Sequence, residues 1–281
     1  MDYKSLLIIV TAATNMERLV PAAAQLAQAC DAHLTALALG VDRVQVGYTD
    51  IGSGGVMLGL GMDQAEEEAQ NIEAALRDAL RPFESGLRYS IDSTVILAGL
   101  FGETITQRAR YADLVILSQP ASDQVGTETE SLIGAVVDEG MCPALILPAS
   151  GPAVIEPKRI VLGWNQSREA MMAARLSLPF LKAAEQVVVT VIDPSTRGLE
   201  QSDPGVQMCR YLARHGVSAD IHVLPKALPR IADSLLRQCQ DVDADLLVMG
   251  SFGRSRLLQA ILGGTTRDMI ESMNLPVLMA G

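Results

Sequence analysis

Four glycines and two threonines near the end of the chain are the residues best suited to chemistry. Within Met249–Thr266 they are Gly250, Gly253, Gly263 and Gly264, followed by Thr265 and Thr266. Glycine permits positive φ and lets backbone N–H groups approach an anion with no Cβ in the way, and a helix starting behind such a loop adds its positive end. The loop follows an apolar run over 245–249 and precedes a helical pattern, so its chemistry is that of a phosphate cradle. The spacing is Gly250, two residues, Gly253, nine residues, Gly263. That is neither the P-loop, which ends in Gly-Lys-Ser/Thr, nor the GxGxxG dinucleotide fingerprint. A second reading is a tight strand-to-helix connection, in which Thr265 and Asp268 form a capping box. The cap accounts for Thr265 and Asp268 and leaves the glycines unexplained. Arg254, Arg256 and Arg267 flank the loop, either to pair with phosphate oxygens or as solvated surface arginines.

Groups for bond-breaking chemistry are scarce. His33, His215 and His222 are scattered and have no sequence-local partner of the kind that marks a triad or a metal site. His215 precedes Gly216 at a helix end, where a cation is favourable, and His222 sits in a strand pattern. The glycine loop holds no lysine and has no evident magnesium carboxylate beside it, which argues for binding rather than phosphoryl transfer. No catalytic residue is assigned. Ile192 and Asp193 end a strand at the same cleft, where Asp193 faces a nucleobase or simply starts a turn.

Alternating strand and helix patterns position these residues, and the alternation implies an α/β chain with a mainly parallel sheet. Strands are expected near 5–11, 33–40, 90–97, 113–118 and 143–148, then near 159–164, 186–192, 218–224, 245–249 and 276–280. Helices fall between, among them a long one from about Met62 to Pro82, one over 168–183, one with Pro204 at its first position, and one over 228–239. The two sets of strands are a repeat: Asp113 and Asp245 open similar runs 132 residues apart, and Pro143 and Pro276 open another pair 133 apart. Domains are therefore expected at 1–149 and 158–281, with Ser150–Pro157 as the linker.

The second half resembles the universal stress protein family. The family's nucleotide signature is Gly, two residues, Gly, nine residues, Gly, then Ser or Thr, which Gly250, Gly253 and Gly263 reproduce while Gly264 takes the last slot. Lys158–Ser167 is similar to the family's opening strand and turn, Ala244–Gly250 to its fourth strand and Pro276–Met279 to its last. The resemblance implies two tandem Rossmann-like (adenine nucleotide alpha hydrolase-like) domains, each a five-stranded mainly parallel sheet with flanking helices, packed as a pseudo-dimer. It also implies that Gly163, Trp164, Asn165, Ile192, Asp193, Gly250, Gly253, Arg254, Gly263, Gly264, Thr265 and Thr266 bind ATP or a related adenine nucleotide, with or without Mg. Asn165 stands where nucleotide-binding members usually carry aspartate, and Gln166 replaces the glycine after it. An asparagine keeps a carbonyl acceptor and gains a donor but has no charge, and Gly264 keeps its amide while losing a hydroxyl worth about 1 kcal/mol. Trp164, the only tryptophan, fits core packing as well as a cleft.

The first half departs at the same places. Ser118 aligns with Gly250, Ala121 with Gly253 and Glu130 with Gly263, so backbone freedom is lost and a carboxylate stands where phosphate would sit. The first half is read as degenerate and retained as a structural partner. Single-domain members of the family usually dimerise through their last strands, so Leu145–Leu147 and Val277–Met279 are expected on neighbouring edge strands, with a homodimer of the whole chain left open. The glycine-rich segment 52–61 follows the wrong strand for a phosphate loop and reads as a mobile flap or contact surface.

Composition sets outer bounds. The chain has 281 residues, 49% hydrophobic and 4% aromatic, so aliphatic side chains must do the packing. No apolar run reaches the length of a membrane span, and Met1–Lys4 leads directly into a strand, so a cytoplasmic protein is expected. Cys30, Cys142, Cys209 and Cys239 form no CxxC pair and read as free thiols. A net charge of −11 opposes general nucleic-acid binding. By resemblance the function is regulatory nucleotide binding in stress response; the competing readings are a nucleotide-free module acting through protein partners and a slow ATP hydrolase.

Overall fold

Runs such as Leu6–Val10, buried at every residue, are apolar on both faces and so must form interior strands of a parallel sheet covered by helices on each side. The computed structural model describes residues 2–12, 14–43, 54–120, 127–151, 155–194, 205–251 and 264–281. Ten strands are present among them: β1 (Ser5–Val10), β2 (His33–Asp42), β3 (Arg88–Leu97), β4 (Leu114–Ser118), β5 (Ala144–Leu147), β6 (Arg159–Gly163), β7 (Gln186–Ile192), β8 (Ala219–Leu224), β9 (Leu246–Gly250) and β10 (Val277–Ala280). All ten fall where the apolar patterning expects them.

The strands form a single sheet in the order β3-β2-β1-β4-β5-β10-β9-β6-β7-β8. Each half is therefore a doubly wound unit in which the winding direction reverses between its first and fourth strands. The halves join through the sheet itself. β5 and β10 pair antiparallel, with Leu145 opposite Leu278 and Ile146 opposite Val277, whereas the pairings within each half are parallel. Leu145–Leu147 and Val277–Met279 are thus neighbours as expected, and the edge that each unit would expose becomes the centre of the sheet.

Side-chain alternation divides the interior into two layers. Leu6, Ile8 and Val10 point to one face with Ile160 and Leu162, while Leu7 and Ile9 point to the other with Val161. The first layer is closed by α1 (Met16–Cys30), α2 (Gly54–Leu80), α5 (Arg168–Leu176), α6 (Leu178–Ala183) and α7 (Val206–Arg214). The second is closed by α3 (Phe101–Ala109), α4 (Thr127–Gly134) with its π-helical continuation Ala135–Glu139, α8 (Ile231–Asp241) and α9 (Thr265–Ser272). Both layers run through the β5–β10 seam: Leu145, Leu147 and Leu278 lie in the first, Ile146, Val277 and Met279 in the second.

Three sequence expectations are corrected. The long helix begins at Gly54 instead of about Met62, so residues 54–61 of the glycine-rich segment are helical; residues 52 and 53 lie outside the described residues. Glycine costs about 1 kcal/mol per helical position, but the helix is anchored downstream by Ala65, Ala69, Ile72, Leu76 and Leu80, and adding turns to an existing helix is inexpensive. Gly40 of β2 lets α2 lie close, since a Cβ there would strike the Ala65 carbonyl. The expected helix over 168–183 is broken at Ser177, where Pro179 starts the shorter α6 and the buried Ser177 hydroxyl donates to Ala174 O at 3.3 Å. Finally, α7 starts at Val206 behind Gly205, which has φ 92°; the proposed first residue, Pro204, is outside the described residues.

All four cysteines are free, with Cys209 half-buried and the other three buried. Burial pushes the Cys142 and Cys239 thiols up from 9.0 to about 12. These groups stay neutral in the folded chain while their unfolded counterparts ionise above about pH 9, so they remove stability as pH rises from about 9 to about 12. A Cys142→Ala/Cys239→Ala double variant should show a shallower stability loss across that window in urea titrations. At the seam, Leu278→Ala should cost about 2–5 kcal/mol, because Leu278 is fully buried between two strands and the void cannot collapse.

Candidate functional site

The winding reversal in the second half lies between β6 and β9, whose carboxyl ends are where folds of this kind receive ligands. Strand register brings four segments to this edge. Gly163, Trp164 and Asn165 leave β6; Ile192 and Asp193 leave β7; Gly250 and Ser251 leave β9; and Gly264, Thr265 and Thr266 open α9. Because α9 runs down to β10, which is parallel to β9, its N-terminus lies on the same side as the strand ends. Gly253, Arg254, Arg256 and Gly263 fall outside the described residues.

The β6 exit is a sequence of short polar contacts. Trp164 N–H donates to Thr190 O at 2.9 Å, extending the β6–β7 ladder by one step. Asn165 Oδ1 accepts from Ser167 N at 3.1 Å, and Ser167 Oγ caps α5 by accepting from Ala170 N at 3.1 Å. Between them Gln166 has φ 62°, the left-handed region that glycine tolerates best, which explains physically why a glycine suits this turn. Asp193 at the end of β7 also has positive φ, 48°, and its N–H donates to Leu224 O at 2.8 Å. Two strand ends here thus hold non-glycine residues in a sparsely populated conformation.

These contacts redistribute the expected roles. The Asn165 carbonyl oxygen is engaged in the turn, so what the exposed side chain has left to offer is chiefly its amide donors. Trp164 packs against the first core layer, as the core reading of this residue expects, and its Nε1 is buried with no partner among the described residues. Gly163 sits over Leu235 of α8, with a notional Cβ 3.4 Å from Leu235 Cδ2. Gly250 serves packing directly. A Cβ there would lie 2.5 Å from Ala170 N and 2.9 Å from Glu169 Cβ, so the first turn of α5 occupies the space that glycine leaves.

At α9 the capping-box reading fails. The N-cap is Gly264, with φ −78° and ψ 143° and no side-chain cap, and Thr265 is already the first helical residue. A box needs its Ser/Thr at the N-cap, one position earlier. Thr266 is buried, and Arg267 pairs with Glu271 at 3.0 Å, one turn along the helix. In the first half, Glu130 is part of α4.

The histidines are structural. His222 Nδ1 lies 2.7 Å from Gln238 Nε2, His33 Nε2 lies 3.1 Å from Ser90 Oγ, and the His215 ring packs on Tyr211 with centroids 4.6 Å apart. Sequence reasoning missed Ser167 as the α5 cap and Leu235 as the floor beneath Gly163. The Ser167–Ala170 spacing is the only local signal for either. Thr190, opposite Gly163 in register, is buried with Oγ1 unpartnered among the described residues.

A doubly wound α/β unit with its switch point between β6 and β9 defines a class of fold, and comparison with known proteins narrows it. Residues 156–281 match the model of the universal stress protein family. The second half thus matches the family, and the first half repeats its fold. A universal stress protein from Archaeoglobus fulgidus DSM 4304 is similar in structure with a TM-score of 0.69 at 13% identity, covering 98% of this chain and 96% of its own. A candidate universal stress protein from Pseudomonas aeruginosa UCBPP-PA14 has a TM-score of 0.62 at 18% identity, covering 99% and 93%. At these identities the likeness establishes the fold over both halves. No curated protein matches the chain.

Gly250→Ala should destabilise the second half by about 1–3 kcal/mol, the usual cost of forcing atoms into a packed contact. Urea unfolding of the variant beside Ser118→Ala, the aligned position in the first half, is the direct check.

Proposed function

We propose that the second half binds ATP or a related adenine nucleotide, alone or with Mg, and that binding regulates the protein in place of feeding a reaction. The observation that carries this reading is the convergence of the β6, β7 and β9 carboxyl ends with the uncapped N-terminus of α9 at the winding reversal. Backbone N–H groups at the start of a helix favour an anion, and a switch-point crevice is where such folds receive ligands. In this reading Gly263, Gly264, Thr265 and Thr266 hold phosphates, Gly253 and Arg254 close the loop over them, Gly250 holds the loop's start against α5, and Gly163, Trp164, Asn165, Ile192 and Asp193 flank the adenosine. Asn165 contributes an amide donor where a carboxylate would accept, which favours an acceptor atom of the nucleoside.

The domains are 1–149 and 158–281, the first degenerate for nucleotide and acting as the packing partner of the second. The match of the second half to the family supports a role in stress response, and a cytoplasmic location goes with that reading. Protein partners are the expected readers of nucleotide occupancy, since a ligand shifts a conformational equilibrium only by binding its states unequally.

Titration of nucleotide-stripped protein with Mg-ATP by calorimetry tests the proposal. Saturable binding near one nucleotide per chain is expected, with Gly263→Glu, which copies Glu130 of the first half, abolishing it. Absence of heat and of thermal stabilisation at millimolar ATP would leave a module that works through its surfaces alone.

A further inference from the structure

One side chain of the first half reaches into the helix that presents the proposed phosphate site. Gln119 follows β4 directly, and its Nε2 donates to Ile270 O at 2.6 Å. Ile270 lies among the last four residues of α9, whose carbonyls have no partner within the helix. The α9 C-cap is Met273, in extended conformation, and its N–H satisfies Met269 O, so Ile270 O depends on a donor from elsewhere. The other end of the amide is also held: Gln119 Oε1 accepts from Ala149 N at 2.8 Å, just beyond β5. Both amide atoms are thereby used, and the side chain has one orientation.

The arrangement is one-sided. Gln119 N–H donates to Leu147 O, and in the second half Ser251 N–H donates to Ala280 O, so Ser251 occupies the equivalent place. Ser251 is fully buried, and its Oγ has no partner among the described residues. A serine hydroxyl lacks the reach of a glutamine amide, and the corresponding helix end in the first half, Ala135–Glu139, is wound as a π-helix. Tyr3 Oη likewise reaches the last carbonyl of α5, Leu176 O, but of the two helices capped across the seam among the described residues α9 is the one whose N-terminus lies at the winding reversal.

We infer that Gln119 is a positioning residue: the first half caps α9 in trans and thereby fixes the helix that presents Gly264, Thr265 and Thr266. The coupling to nucleotide rests on the function proposed above; the cap itself does not. A degenerate first half is then retained for this contact as well as for the β5–β10 pairing. The cap acts through donation to Ile270 O, while acceptance from Ala149 N orients the amide.

Two substitutions separate these atoms. Gln119→Glu keeps an acceptor for Ala149 N and loses the donor; Gln119→Lys keeps a donor for Ile270 O and loses the acceptor. Amide hydrogen exchange across α9, measured without nucleotide, should quicken about tenfold in Gln119→Glu, as loss of one charge-free hydrogen bond implies, and stay near the wild-type rate in Gln119→Lys. Mg-ATP affinity should fall in the same order. A residue that merely shaped the β5 exit would give the reverse order, and that result, or unchanged α9 exchange in Gln119→Glu, overturns the inference. If the wild type binds ATP and Gln119→Glu binds it equally well despite faster exchange, the positioning role is overturned. If the wild type binds no ATP, the nucleotide proposal fails and the exchange rates alone decide the cap.

Discussion

The antiparallel pairing of β5 with β10 is the contact on which the rest of the molecule depends. A parallel α/β unit that ends on its fifth strand exposes a row of backbone donors and acceptors, and such an edge invites association. Here each unit covers the other's edge. The pairing joins two five-stranded units into one ten-stranded sheet and carries both core layers across the seam without interruption. It also sets the geometry of every contact between halves, including Tyr3 Oη donating to Leu176 O at 2.6 Å and the Tyr3 ring packing on Phe180. Burial pushes the Tyr3 hydroxyl up, so it remains a neutral donor to that carbonyl.

Duplication under this constraint lets the halves diverge. Once the second half has a permanent partner, the first is free of any need to bind ligand, provided that it preserves the seam. The candidate site of the second half is built from strand ends whose positions the sheet dictates, and its polar atoms are largely spoken for: the Asn165 carbonyl by Ser167, Gly250's open side by α5, Arg267 by Glu271.

Much of the fold was legible in the chain. The interior strands are short apolar runs, the outer β3 and β8 are more polar, and a repeat at 132–133 residues marks the two halves. Of the candidate site, the sequence marked the ends of β6, β7 and β9 and the start of α9, and the sheet order sets these segments at the winding reversal, while Gly253, Arg254 and Gly263 lie outside the described residues. Its details were not legible. The Thr265–Asp268 spacing suggests a capping box, yet the helix begins one residue too early for it. Glycines at 54, 55, 59 and 61 suggest a flexible segment, yet docking of the downstream helix on β2 extends order through them.

The division has a physical basis. Strand and helix identity come from periodicity and from turn residues, which act over a few positions and can be read in order along the chain. The sequence by itself therefore determined the α/β class, the duplication, the free thiols and the glycine-lined segments at the switch point. Contacts between residues far apart depend on strand register and on how closely a helix approaches a sheet, quantities that no local pattern encodes. Only the tertiary structure decided that β5 meets β10 antiparallel, that Gly250 makes room for Glu169 and Ala170, and that Gln119 reaches Ile270 across the seam, 151 residues away in the chain.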